Sequence, residues 1–372
     1  MQGGGCPDVL GVGLLLVVGG LLGQLALRIR LPAITGYVVA GLALGALPGG
    51  PMETGPLVRA LQLLAGGYVL FVVGTLLSWS QLRPHASALV WTAVLVLLGM
   101  VGAVGVGVSL LPSGLLTSPD GLSQSSLLLL ALVAGSPTVL VASCERHLGT
   151  AWLRLGVAAV VLLDAIVVLL AIGASAGHEL AIPSVAELAA CIMVGAIAAV
   201  VVVMRHRSGV SVLLGACFLL GVLVLSRGAW VTPAVYGLAL LAGVGCTNAA
   251  PDAKATPKPE RLHLALGLLF GSTAATIDPV SLSAFLLPAA GLIAARTMGC
   301  WIGSRLAQRL VGQATPPALG ATPFVPQGGL ALILVTAVED PAGSWTSLIL
   351  VMALLQLVAA PPLLAREARV NR

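Results

Sequence analysis

Residues 151–173 read AWLRLGVAAVVLLDAIVVLLAIG, a run as long as a membrane span with one acidic residue, Asp164, near its middle. Just before it, residues 127–145 read LLLLALVAGSPTVLVASCE, a second apolar run interrupted by Gly135, Ser136, Pro137 and Thr138. Roughly 20 apolar residues cross a bilayer as a helix. Proline removes a backbone donor and clashes with the preceding turn, so the second run is expected to open in mid-membrane. Unwound backbone survives at that depth only where protein buries it or water lines it. An ionisable group inside a span is costly unless paired or hydrated, which makes Asp164 a functional candidate rather than a merely structural carboxylate.

The rest of the composition fits that reading. Of 372 residues, 58% are hydrophobic and only 8% charged, whereas soluble domains run near a quarter charged. So apolar a chain needs lipid as its outer solvent. Glycine is abundant (46) and aromatics scarce (4%), as suits helices that approach closely where no hydrophobic effect drives them together. The six cysteines are scattered, without a CxxC pair or histidines at metal-ligand spacing, so Cys144, Cys191, Cys217 and Cys300 read as small apolar helix residues. No basic leader precedes the first apolar run, so no cleavable signal peptide is expected. The formal charge of +5 sits in loops and carries no nucleic-acid signal.

Apolar runs set against breakers give about thirteen spans. They centre on residues 9–27, 33–47, 57–77, 87–111, 124–143, 152–174, 184–204, 210–225, 230–246, 262–276, 280–302, 317–337 and 345–364. Loop charge tests this reading. All but Arg59, Arg227 and Arg296 of the 18 Lys and Arg residues fall on alternate loops, while Asp8, Glu53, Asp120, Glu179, Glu187, Asp278, Glu339 and Asp340 occupy the opposite ones. Positive loops stay cytoplasmic, which places the N-terminus outside and the C-terminus inside. One missed span would scramble the alternation. No soluble regulatory domain is expected after the last span.

Arg296 lies in the second half of the eleventh span, PVSLSAFLLPAAGLIAARTMGCWIG. It reads either as an interior partner of the site or as a basic residue snorkelling to the cytoplasmic surface. The twelfth span, GATPFVPQGGLALILVTAV, can open at Pro326, Gly328 and Gly329 as the fifth does at Pro137. The two breaks lie an odd number of spans apart, so the broken segments run in opposite directions through the bilayer. Inverted-repeat transporters bracket a midplane site in this way.

Six segments, in order, resemble one family. LPAITGYVVAGLALG (residues 31–45) is similar to its second span, usually Pro-x-Ile-x-Gly-Tyr, and VLFVVGTLLSWSQLR (69–83) to its third. ALVAGSPTVLVASCERHLGT (131–150) resembles its unwound helix, and LLDAIVVL (162–169) its ion-binding helix. LFGSTAATIDPVSL (269–282) and PFVPQGGLALIL (323–334) resemble two further segments, the latter a second unwound helix. The family is the cation–proton antiporter superfamily, of the sodium/hydrogen-exchanger or bacterial Kef/Nap type.

The resemblance implies an all-helical antiporter fold with two parts. A dimerising panel would comprise approximately residues 9–77 and 205–276, and a transport core approximately 87–204 and 280–364. Asp164 would bind the transported monovalent cation, Na+ or K+, in competition with a proton. Arg296 would be the core's basic partner, and Ser136, Pro137, Thr138, Pro326 and Gln327 would line the crossing of the broken helices. The protein would be a homodimer in the bacterial inner membrane, embedded in lipid, with no cofactor and no nucleic-acid partner. The sequence departs from the family at Leu163, where other members carry a second polar residue, at Ala159, where some carry a glutamate, and at Leu76 and Leu77. In electrogenic members the basic residue pairs with the extra acid, which Arg296 lacks here.

With one titrating carboxylate, one-for-one electroneutral exchange is the simplest expectation. Two other classes remain open at this point. A sodium-coupled organic-anion symporter would set Arg296 against the anion, although further sodium-liganding residues are missing. A non-transporting relative acting as a membrane scaffold or sensor would account for Leu163. Enzyme chemistry is not expected: the chain carries no HExxH, no GxSxG and no paired intramembrane aspartates.

Overall fold

The computed structural model describes residues 6–29, 31, 33–46, 56–111, 121–144, 150–175, 231–249, 259–275, 279–311, 320–328, 330–331 and 344–370. Within them the helices are α1 (Cys6–Arg28), α2 (Ala33–Gly45), α3 (Pro56–Thr75), the short α4 (Trp79–Leu82), α5 (Ala86–Ser109), α6 (Gly121–Val133), α7 (Pro137–Ser143), α8 (Ala151–Ser175), α9 (Val231–Ala249), α10 (Pro259–Leu266), α11 (Ser272–Ala275), α12 (Pro279–Val311) and α13 (Ser344–Val370). Five stretches are long and apolar enough to cross a membrane: Gly11–Arg28, Trp79–Ser109, Ser125–Ser143, Ala151–Ala171 and Ser283–Val311. Shorter apolar helices cover Ala33–Gly45, Leu64–Thr75, Ala239–Asn248, Leu262–Ala275 and Ser344–Ala360. Helix is what such sequences must form, since lipid offers no partner to a free N–H or C=O. The seventh and eighth spans read from sequence lie outside the described residues, as do ten of the twenty-one residues of the twelfth.

Where span and helix can be compared, two differ. The eleventh span was expected over 280–302, but α12 runs on to Val311, because Gly303–Val311 continues the helix with its polar residues at the end of the run. The tenth is one continuous helix, Leu262–Ala275, that carries a π-bulge. A single π-turn, Gly267–Gly271, joins α10 to α11, and glycines 267 and 271 let the turn lie against the Tyr37 ring and Leu15.

Packing follows small residues. α5 lies along α12, and a Cβ on Gly99 would stand 2.5 Å from the Gly299 carbonyl oxygen, while one on Gly299 would stand 2.6 Å from that of Gly99. The backbones therefore touch, which is the contact that small residues allow in a membrane bundle. α1 packs on α2, α2 on α11 and the π-turn, and α3 on α9 and α10. α8 packs on α5, α6 and α7, and α13 on α12 and α7. The broken segment is the innermost: 83% of Ser125–Ser143 is buried, against 28% of Ser283–Val311. The interrupted backbone is thus surrounded by protein rather than exposed to lipid.

Candidate ion site at the crossing of two interrupted helices

α6 ends at Val133, residues 134–136 are non-helical, and α7 begins at Pro137. The interruption has a local cause. Ser136 is extended (φ −148°, ψ 92°) and caps the new helix, its Oγ accepting from the Val139 N–H at 3.3 Å. Proline at the first helical position loses nothing there, because that N–H has no intrahelical acceptor. Ser-Pro therefore starts α7 as much as it stops α6. The Ser136 and Thr138 hydroxyls are 2.9 Å apart. In the second interrupted segment a short 3-10 turn, Thr322–Phe324, is followed by non-helical Pro326–Gly328. A Cβ on Gly328 would collide with the Ser136 side chain, so the two interruptions touch at these residues.

A helix end leaves its last carbonyls without helical partners, and the partners at the end of α6 can be named in order. Leu130 O accepts from the Ala134 N–H at 3.0 Å. Ala131 O accepts from Gln327 Nε2 at 2.8 Å. Leu132 O accepts from Arg296 Nη1, and Ala134 O from Arg296 Nη2, both at 2.7 Å. On its other side the same guanidinium donates to Phe324 O at 3.0 Å and, through Nε, to Val325 O at 3.2 Å. Arg296 is 0% exposed. It is an interior residue and does not snorkel to a surface, and main-chain carbonyls on both segments hold it. Its planar fork fits the task, since it can serve carbonyls of two chain segments at once. The carboxyl end of a helix carries partial negative charge, so the guanidinium also offsets the dipole end of α6.

Asp164, on α8, faces the same interruption. Its Oδ1 accepts from the Gly135 N–H at 2.7 Å. The Asp164 residue as a whole is only partly buried. Its chain neighbour Leu163 is 0% exposed, as is Ala159 one turn earlier. Ser136, Thr138 and Gln327 are buried at the crossing, with Pro137 opening α7 and Pro326 within the second interruption. No group of three or more metal-ligating side chains occurs among the described residues.

Several participants were not marked by the sequence. The Gly135 amide and the carbonyls that hold Arg296 are main-chain groups. Glu367, near the end of α13, accepts a hydrogen bond from Thr322 Oγ1 at the start of the second interrupted segment. Gln62 donates to Ser272 Oγ at 2.9 Å beside the π-turn. For the last two the only sequence signal is a polar residue within or just beyond an apolar run.

No family model matches the sequence, and no curated protein matches it. Among solved structures, the sodium proton antiporter MjNhaP1 from Methanocaldococcus jannaschii, determined at pH 8, superposes with a TM-score of 0.64 at 16% identity. The superposition covers 97% of this chain and 98% of that one. The described residues are all-helical and resemble that protein's fold.

Proposed function

We propose that this protein is a monovalent cation:proton antiporter, exchanging Na+ or K+ for H+ by alternating access, with Asp164 as the shared cation and proton site. The observation that carries the reading is the placement of Asp164: an intramembrane carboxylate held by a backbone amide at the interruption of α6–α7. The fold of a sodium proton antiporter supports it. The exchange needs no covalent step. A cation and a proton compete for one carboxylate, and only an occupied core crosses, so each transported charge is traded for another.

The packing supports the inverted repeat that such a mechanism uses. Shifting the span order by the offset between the two breaks pairs the second span with the ninth, the third with the tenth, the fourth with the eleventh and the sixth with the thirteenth. Under that shift the contact of α2 with α11 becomes that of α9 with α3. The contact of α5 with α8 becomes that of α12 with α13, and α5 on α12 maps to itself. The contact of α8 with the Thr322–Phe324 turn becomes that of α13 with α7. On this reading about thirteen spans, N-terminus outside, divide into a dimerising panel and a moving core, in a bacterial inner membrane.

Arg296 fixes the charge of the site. The charges of Asp164 and Arg296 cancel when the carboxylate is empty and ionised, and either occupant leaves the same single positive charge. The exchange is electroneutral on this count and insensitive to the roughly 2.3 kcal/mol per charge that 100 mV supplies. The deciding experiment is dye-monitored proton flux in proteoliposomes with Na+, K+ and Li+ added in turn. Flux on addition of at least one cation is expected, and silence with all three, in a folded preparation, would remove the assignment.

A further inference from the structure

Resting on the antiport reading, we propose that the side-chain oxygen of Gln327 is a direct ligand of the transported cation and sets which monovalent cation the site accepts. Gln327 is 0% exposed. Its Nε2 donates to Ala131 O at 2.8 Å, while its Oε1 has no hydrogen-bond partner among the described residues. The orientation is not interchangeable. Turning the amide over would set two acceptors, Oε1 and Ala131 O, against each other. A buried acceptor without a donor is uncommon in folded interiors and asks for an occupant.

The surroundings say which occupant. The residue after Gln327, Gly328, lies against the Ser136 side chain. The carbonyl that Gln327 grips, Ala131 O, belongs to the same stretch of chain as the Gly135 N–H that holds Asp164. The amide and the carboxylate are thus fastened to one segment, at anchor points four residues apart. The hydroxyls of Ser136 and Thr138, 2.9 Å apart, follow directly after those anchor points in sequence. The side chains gathered here offer oxygen ligands, which hard cations take from carboxylate and amide alike. Leu163 stands where members of the cation–proton antiporter superfamily carry a second polar residue, and Ala159 where some carry a glutamate, so neither adds a ligand here. A neutral oxygen supplies a further ligand without adding charge, and so preserves one-for-one exchange.

The test measures the apparent KM for Na+, K+ and Li+ in proteoliposomes for Gln327→Met, Gln327→Glu and Asp164→Asn, with thermal unfolding of each. Gln327→Met is expected to raise the KM of the preferred cation by about tenfold and to flatten selectivity, with turnover recovered at saturating cation. Gln327→Glu keeps the length and the oxygen; it is expected to lower the KM and to make exchange respond to an imposed potential. Unaltered KM and selectivity in Gln327→Met would overturn the inference. So would lower thermal stability with unchanged cation dependence, which would reduce Gln327 to a support for Ala131 O and leave its oxygen to water. Should Gln327→Met fail to fold, Gln327→Glu decides, and unchanged cation dependence there overturns the inference equally. Asp164→Asn separates the two levels: exchange surviving in that variant removes the antiport site itself, whereas its loss beside an indifferent Gln327→Met removes only the ligand role of Gln327.

Discussion

Asp164 and Arg296 hold opposite ends of one peptide group. The Gly135 N–H donates to Asp164 Oδ1 at 2.7 Å, and the Ala134 carbonyl of that same peptide accepts from Arg296 Nη2 at 2.7 Å. The acid and the base are therefore coupled through a polarised amide rather than by a direct ion pair. This matters in a chain with leucine at 163, because Arg296 needs no acidic neighbour: four main-chain carbonyls satisfy it. Under the proposed exchange, the carboxylate changes occupant while the guanidinium keeps its carbonyls.

Asp164→Asn is expected to abolish cation-driven proton movement while leaving the protein folded, since asparagine still accepts from Gly135 but cannot exchange a proton for a cation. Proton flux in proteoliposomes together with a thermal unfolding curve checks both halves. Normal flux in the variant would sink the assignment.

Arg296→Met is expected to cost stability first. It removes the donor from carbonyls on both interrupted segments, and a buried polar group left without its partner costs about 1–3 kcal/mol. The total is on the order of 3 kcal/mol or more, so the melting temperature in detergent should drop by several degrees. Arg296→Lys should fall between parent and Met, because an ammonium is a compact charge that cannot span both segments. A melting temperature matching the parent's in both variants would refute the bracing role.

What was legible in the sequence depended on side-chain type. Asp164 and Arg296 declared themselves because a charge inside an apolar run has few bland explanations, and the fifth-span break because Gly-Ser-Pro cannot continue a helix. The partners of Arg296 were not legible. They are carbonyls, which every residue carries, so no side-chain pattern marks them. The π-turn was hidden too, since glycines 267 and 271 read as ordinary small residues until Tyr37 was seen against them. The end of α12 was misjudged because polar residues past 303 suggest a loop, although helix continues beyond the apolar part.

Glu367→Gln tests the clasp between the last helix and the second interrupted segment. Burial pushes the Glu367 carboxyl above its ordinary value, so the folded protein holds that proton more tightly than the unfolded chain. The stability this group contributes is complete below the ordinary glutamate value and is lost as pH rises through the raised one. Glutamine keeps an acceptor for Thr322 Oγ1 and cannot ionise. The variant should match the parent in mildly acid buffer and melt higher than it at neutral pH. Parallel melting curves across the range, with a constant gap, would count against the titration.

Gly135→Ala tests how tightly the carboxylate is placed. A Cβ at this position would stand 2.8 Å from Val160 Cγ1 and 3.1 Å from Asp164 Oδ1. The first contact falls on a branched side chain in a packed interior, where displacement typically costs about 1–3 kcal/mol. The second pushes the acceptor away from the amide that holds it. Both stability and the apparent cation KM should suffer. Val160→Ala removes the atom responsible for the first contact and leaves the second, so the double variant should regain melting temperature while its KM stays raised. Recovery of both quantities together would mean that the position of Asp164 follows from general packing and not from its bond to Gly135. Recovery of stability alone identifies the amide as the group that places the carboxylate.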